Sequence, residues 1–146
     1  MTHIPQTALP VTGLAPTATD GNPTSEWIQP TDHMMYVVIH VDKDNAETTS
    51  FQLRKADDAQ GNNPEDFGVN CPIWLNADAE DGTDFVRQDD SDDFTMDNSD
   101  DTVQIIVFQV DPSKCDDDKP FVAVTLADGN AGNTAGILYY LAPTRY

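Results

Sequence analysis

Basic residues are scarce in this chain. Seven Lys and Arg stand against 26 Asp and Glu in 146 residues, a formal net charge of -19. A surface of that sign repels polyphosphate, so nucleic acid is excluded as a direct partner. Cysteine is nearly missing too: Cys71 and Cys115 are too few for a disulfide framework and too far apart for a metal-binding CxxC knuckle. Each lies at the edge of a strand-like run, so one bridge is open to them, although two free thiols are the expectation. No apolar run approaches the ~20 residues of a membrane-spanning helix, so no membrane partner is expected. The opening residues, Met1 to Pro5, show neither a basic n-region nor an apolar h-region, and no secretory signal is expected.

Catalytic signatures are absent as well. The three histidines, His3, His33 and His40, fall in no HxxxH or HExxH spacing and stand near no cysteine, which removes the usual zinc arrangements. None of Ser25, Ser50, Ser91, Ser99 and Ser113 lies in a GxSxG elbow. The stretch from Gly129 to Gly136 is glycine-rich, but it lacks GxGxxG order and a Lys-Ser/Thr partner for phosphate. Paired-carboxylate hydrolysis needs two acids in opposed environments across a cleft, and no Asp or Glu stands inside an apolar strand. No catalytic, cofactor-binding or metal-ligating residue is assigned, no cofactor is expected, and the chain reads as a non-enzyme.

What the chain does have is aspartate. Eleven acidic residues between Asp78 and Asp101 face the single Arg87. An EF-hand fails here: counted from Asn76, Gly82 comes one position late and Arg87 occupies the place of the bidentate Glu. A different cation site among Asp89, Asp90, Asp92 and Asp93, or at Asp116 to Asp118, is the remaining option, against the ordinary role of a charge run as a solvated loop. Asp-rich, Lys-poor surfaces also stay hydrated in concentrated salt, where screening removes self-repulsion. A saline source would explain the charge by habitat rather than by partner.

The apolar 38% arrives in compact blocks, enough for one domain with a real core. Residues 1–26 carry Pro5, Pro10, Pro16 and Pro23, which forbid a helix and weaken any central strand. They read as an extended arm with Ile4, Leu9, Val11 and Leu14 as anchors, ahead of a domain over 27–146. Tyr36 to Val41 is a β-branched run expected to be buried on both faces, and Ser50 to Lys55 alternates as a half-buried strand. Asn63-Pro64-Glu65-Asp66 has the order of a helix start, with Gly68 ending it. Cys71 to Leu75, Phe85 to Arg87, Phe94 to Met96, Thr102 to Val110, Phe121 to Ala127 and Ile137 to Leu141 complete the strand candidates. Short strands with regular turn signals and almost no helical periodicity give an all-β class. The form expected is a single antiparallel β-sandwich, with a jelly roll as one candidate arrangement.

The last third resembles a known group. A long strand to Val110, Asp111, a polar insert, Phe121 to Leu126, an Ala/Gly-rich loop and the ending Ile137-Leu-Tyr-Tyr-Leu-Ala-Pro-Thr-Arg145-Tyr146 look like the C-terminal region of small structural proteins of tailed viruses and phages. Phe51 to Gly61, with Ala56, Ala59 and Gly61 in an A-x-x-A-x-G turn, is similar to the same proteins. The matching stretches cover under half of the chain, and the Asp insertions in 76–101 and 115–119 depart from the pattern.

That resemblance implies a capsid decoration, or cement, protein on the outer surface of a virion head, with no catalysis. It implies the major capsid protein as partner and a homo-oligomer, with a trimer favoured. Before assembly the protein would be soluble in the host cytoplasm. The alternatives are a tail or connector protein of the virion, or a cation- or carbohydrate-binding β-sandwich module. Trp27, Trp74 and the Tyr139-Tyr140 pair would form the sugar platform of such a module. Salt adaptation predicts a melting temperature that climbs between tens of millimolar and molar NaCl without added calcium. A melting temperature indifferent to salt would remove it, and a rise caused by calcium alone would favour the binding module.

Overall fold

The computed structural model describes residues 9–43, 48–96, 103–127 and 132–143. Among the described residues ten strands form two antiparallel sheets that pack face to face, so the chain is an all-β sandwich. The larger sheet has the order β1 (Leu9–Ala18), β10 (Thr134–Pro143), β2 (His33–Asp42), β8 (Val103–Val110), β5 (Cys71–Asn76), β6 (Val86–Ser91). The smaller is built around β3 (Ser50–Ala56), with β9 (Phe121–Ala127) along one edge. The short β4 (Glu65–Asp66) and β7 (Asp93–Thr95) share its other edge.

Period-two alternation fills the space between the sheets. Met35, Val37, Ile39 and Val41 of β2 and Ile106, Phe108 and Val110 of β8 are buried. They meet Phe51 and Leu53 of β3 and Val122, Val124 and Leu126 of β9 in one cluster. The expected two-sided burial of Tyr36 to Val41 does not hold: Tyr36 and Val38 are half-buried and His40 is exposed. Burial on both faces needs a layer on each side of the sheet, usually crossover helices, and among the described residues the outer side carries no such layer.

Residues 9–26, expected as an arm, are extended but paired into the sandwich. β1 runs against β10 from Leu9 opposite Leu141 to Ala18 opposite Thr134, with two bulges. Pro10 and Pro16 are tolerated because β1 is an edge strand. The chain then crosses to the other sheet, where Ser25 N–H donates to the Val124 carbonyl at 2.9 Å and Ile28 and Val122 exchange backbone bonds. A buried chain of hydroxyls fixes this strap. Val124 N–H donates to Ser25 Oγ at 2.8 Å, Ser25 Oγ pairs with Tyr139 Oη, and Tyr139 Oη donates to the Glu26 carbonyl at 3.0 Å. Residues 1–8 lie outside the described residues.

The helix start expected at Asn63 is a turn leading into β4. Asn63 takes φ +49°, which leaves the right-handed region, and its amide donates to Asp57 Oδ2 at 2.6 Å. Glu65 and Asp66 then lie opposite Lys55 and Arg54, where cross-strand charge favours pairing over helix. Lys119 closes the corner, its Nζ 2.6 Å from the Asn63 carbonyl and 3.0 Å from Asp57. Hydrogen bonds from Asn63 and Lys119 hold the Asp57 carboxyl below the usual aspartate range.

Gly61 sits in this turn at φ +76°, and a Cβ there would fall 2.2 Å from Trp27 Nε1. Gly61→Ala should therefore cost about 1–3 kcal/mol in urea unfolding, from strain and displaced indole together. Gly21, with nothing within 4 Å of its would-be Cβ, should accept Ala within about 0.5 kcal/mol.

Candidate binding face

The outer side of the larger sheet is the most distinctive surface of the molecule. Strand register sets its side chains in rows. One row crosses the sheet from Arg87 through Trp74, Val107 and Val38 to Leu138. The next runs from Gln109 through Tyr36 to Tyr140. Each strand alternates, so the same periodicity that fills the core leaves an apolar set on the far side.

A groove of about 370 Å³ opens on this face, lined by Tyr36, Trp74, Phe85, Val107 and Gln109. Phe85 reaches it from the β5–β6 loop, which is folded onto the sheet. Asn76 Nδ2 donates to the Thr83 carbonyl at 2.7 Å, Thr83 Oγ1 donates to Asn76 Oδ1, and Ala79 N–H donates to the Val103 carbonyl at 2.9 Å. Phe85 is nonetheless 48% exposed and Leu138 42%, so the face keeps apolar area in contact with water. The Arg87 guanidinium lies 4.9 Å from the Trp74 ring centroid and pairs with Asp90, so the indole is braced from one side. Gln109 also lines a neighbouring cavity of about 250 Å³ with Met34, Pro72, Asp90, Asp111 and Lys114. Asp111 caps the turn Pro112–Lys114 by accepting from Ser113 N–H at 2.9 Å, which keeps its carboxyl well ionised.

The aromatic platform of the alternative binding-module reading is dispersed. Trp74 and Tyr140 share the outer face, Tyr139 is buried in the core, and the Trp27 indole packs over Gly61. Tyr36 and Phe85, which complete the groove, went unnoticed. The alternation of Tyr36, Val38 and His40 against the buried set was the signal for the first. Of the acids weighed as an alternative cation site, Asp92 Oδ2 accepts from Gly68 N–H at 2.7 Å and Asp93 Oδ1 accepts from Ser91 Oγ at 2.5 Å. Asp116 pairs with Lys55 at 2.5 Å. Among the described residues no three His, Cys, Asp or Glu side chains converge as metal ligands. Asp97, Asp100, Asp101, His3 and the loop at 128–131 lie outside the described residues.

No family model matches this chain, and no curated protein or solved structure is significantly similar to it. Among the described residues no helix is long and apolar enough to cross a membrane.

Cys71 is buried and Cys115 half-buried, and both are free thiols. Burial, reinforced by Asp92 near Cys71 and by Asp111 near Cys115, pushes them from their ordinary 9.0 to about 12 and about 11. Between those values the unfolded chain binds fewer protons than the folded one, so stability falls as pH rises. Burial of the Tyr139 hydroxyl acts in the same direction. The urea midpoint should be flat up to about pH 8 and then decline toward pH 12, with a shallower decline in a Cys71→Ser/Cys115→Ser variant. An unchanged slope in that variant would assign the decline to other groups.

Proposed function

We propose that this chain is a non-enzymatic structural protein of a virion, most closely of the capsid decoration type. In that role it attaches to the major capsid protein as a small oligomer and braces neighbouring capsomers. The observation that carries the proposal is a contrast. One face of the larger sheet is apolar and grooved, while the loops around it are densely acidic. A protein that must adhere to one surface and to nothing else has use for that division. The resemblance of the segments at 51–61 and 102–146 to small structural proteins of tailed viruses supports the same reading and is the ground for proposing a virion setting.

The fold suits the task mechanically. A decoration protein needs rigidity rather than a moving cleft, and the strap over 23–28, bound to β9 and Tyr139, closes one side of the sandwich. Acidic loops facing solvent keep decorated particles apart by like-charge repulsion.

Peptide mass spectrometry of density-gradient-purified particles from the source of this sequence tests the proposal. The chain should band with full heads at a copy number that scales with the capsomers. Recovery only from the soluble fraction would overturn a virion role, and banding with separated tails would overturn the head assignment.

A further inference from the structure

We infer that the outer-face groove binds a short cationic segment of another protein, seating one aliphatic or aromatic side chain among Tyr36, Trp74 and Phe85 beside the acidic wall of the β5–β6 region. The inference deepens the docking role proposed above, and it rests on that role while naming the chemistry of the partner.

The floor and the wall ask for different things. Tyr36, Trp74, Phe85 and Val107 form an apolar depression whose one amide, Gln109, is turned to Met34 Sδ at 3.5 Å. An apolar anchor fills such a site, as anchors do at the centre of interfaces. A sugar would find few groups to hydrogen-bond, since ring stacking needs polar groups beside it to fix orientation.

The wall is the β5–β6 loop that carries Phe85, with Asp78, Glu80, Asp81 and Asp84, continued by Asp89 and Asp90 of β6 against Arg87. That single cation is already engaged with Asp90 and the Trp74 ring. Lys114, at the far end beside Asp111, is the other base lining this part of the face. Anionic ligands and a second copy of this chain, itself at -19, therefore meet repulsion along the wall. A segment with Lys or Arg on either side of an apolar residue is complementary to both parts. Its charges would govern the association rate and salt dependence, and its anchor the lifetime of the complex.

Two indoles make the test internally controlled, because Trp74 lines the groove and Trp27 packs over Gly61. The full chain, labelled with nitrogen-15, is titrated with three capped pentapeptides: Lys-Lys-Leu-Lys-Lys, Lys-Lys-Ser-Lys-Lys and Glu-Glu-Leu-Glu-Glu. The first should shift the Trp74 indole signal saturably and leave Trp27 in place, with the other two at least about tenfold weaker. Phe85→Ser changes a half-exposed loop side chain, so its spectrum should stay folded while affinity for the first peptide drops about fivefold or more.

Equal shifts by the Leu and Ser peptides would reduce the effect to general charge attraction and overturn the inference. So would an unmoved Trp74, a response to free hexoses at lower concentration than to the first peptide, or a dimer by light scattering that masks Trp74. The particle measurement separates the two levels. Full particle occupancy by Phe85→Ser with no peptide binding would sink the groove and leave the structural role. Peptide binding by a chain missing from particles would do the reverse.

Discussion

The structure depends on one-sided burial of the larger sheet. Met35, Val37, Ile39 and Val41 turn inward with Ile106 and Phe108, and they oppose Phe51, Leu53, Val122 and Val124 across the sandwich. A chain carrying -19 repels itself, and the main opposing term is apolar area withdrawn from water. Surface ion pairs such as Arg87–Asp90 contribute little by comparison, since both partners remain solvated. Nearly all the adhesive work therefore falls to β2, β3, β8, β9 and β10.

The same constraint explains the strap. Two stacked sheets leave open edges, and an open edge next to an apolar core invites water or another strand. β1 covers β10, and the segment from Pro23 to Ile28 covers β9, so a single stretch of chain finishes both sheets on one side. Ser25, Tyr139 and Glu26 make this closure specific, because a buried phenol whose hydroxyl lost its acceptor would be costly. Proline, which bars this stretch from the sheet interior, suits it to the edge.

Legibility followed apolar density. β2, β3, β5, β8, β9 and β10 were evident because alternating or β-branched runs announce strands directly. β6 was mostly hidden: Val86–Ser91 is polar and acidic, and what makes it a strand is its partner β5 and the seat of Arg87 on Trp74, both tertiary. β1 was hidden by its prolines, read as marks of an arm when they also fit an edge. Asn63 and Pro64 carried a true helix-start pattern, and a left-handed φ with cross-strand charge overrode it. Of the outer face, Trp74 stood out by type alone. Tyr36 shares its face with the polar His40 by even spacing along β2, but that Phe85 joins them depends on a loop folded by Asn76 and Thr83, which local sequence does not encode.

An exposed apolar groove is ordinarily a liability, because copies of the same chain can bury it against one another. The acidic wall changes that balance. Bringing two such faces together would also bring together two walls of the same sign, and the cost rises as the gap closes and water leaves. Under the proposed docking role, charge at the rim would act as a filter at the groove, disfavouring burial against a second copy of the same face while leaving a basic surface free to approach. Saline conditions would weaken the filter at long range but less at contact, where few mobile ions fit between the surfaces. On the docking role proposed above, a single physical feature, the sign of the loops, would govern both the self-repulsion of the free chain and the chemistry of the partner.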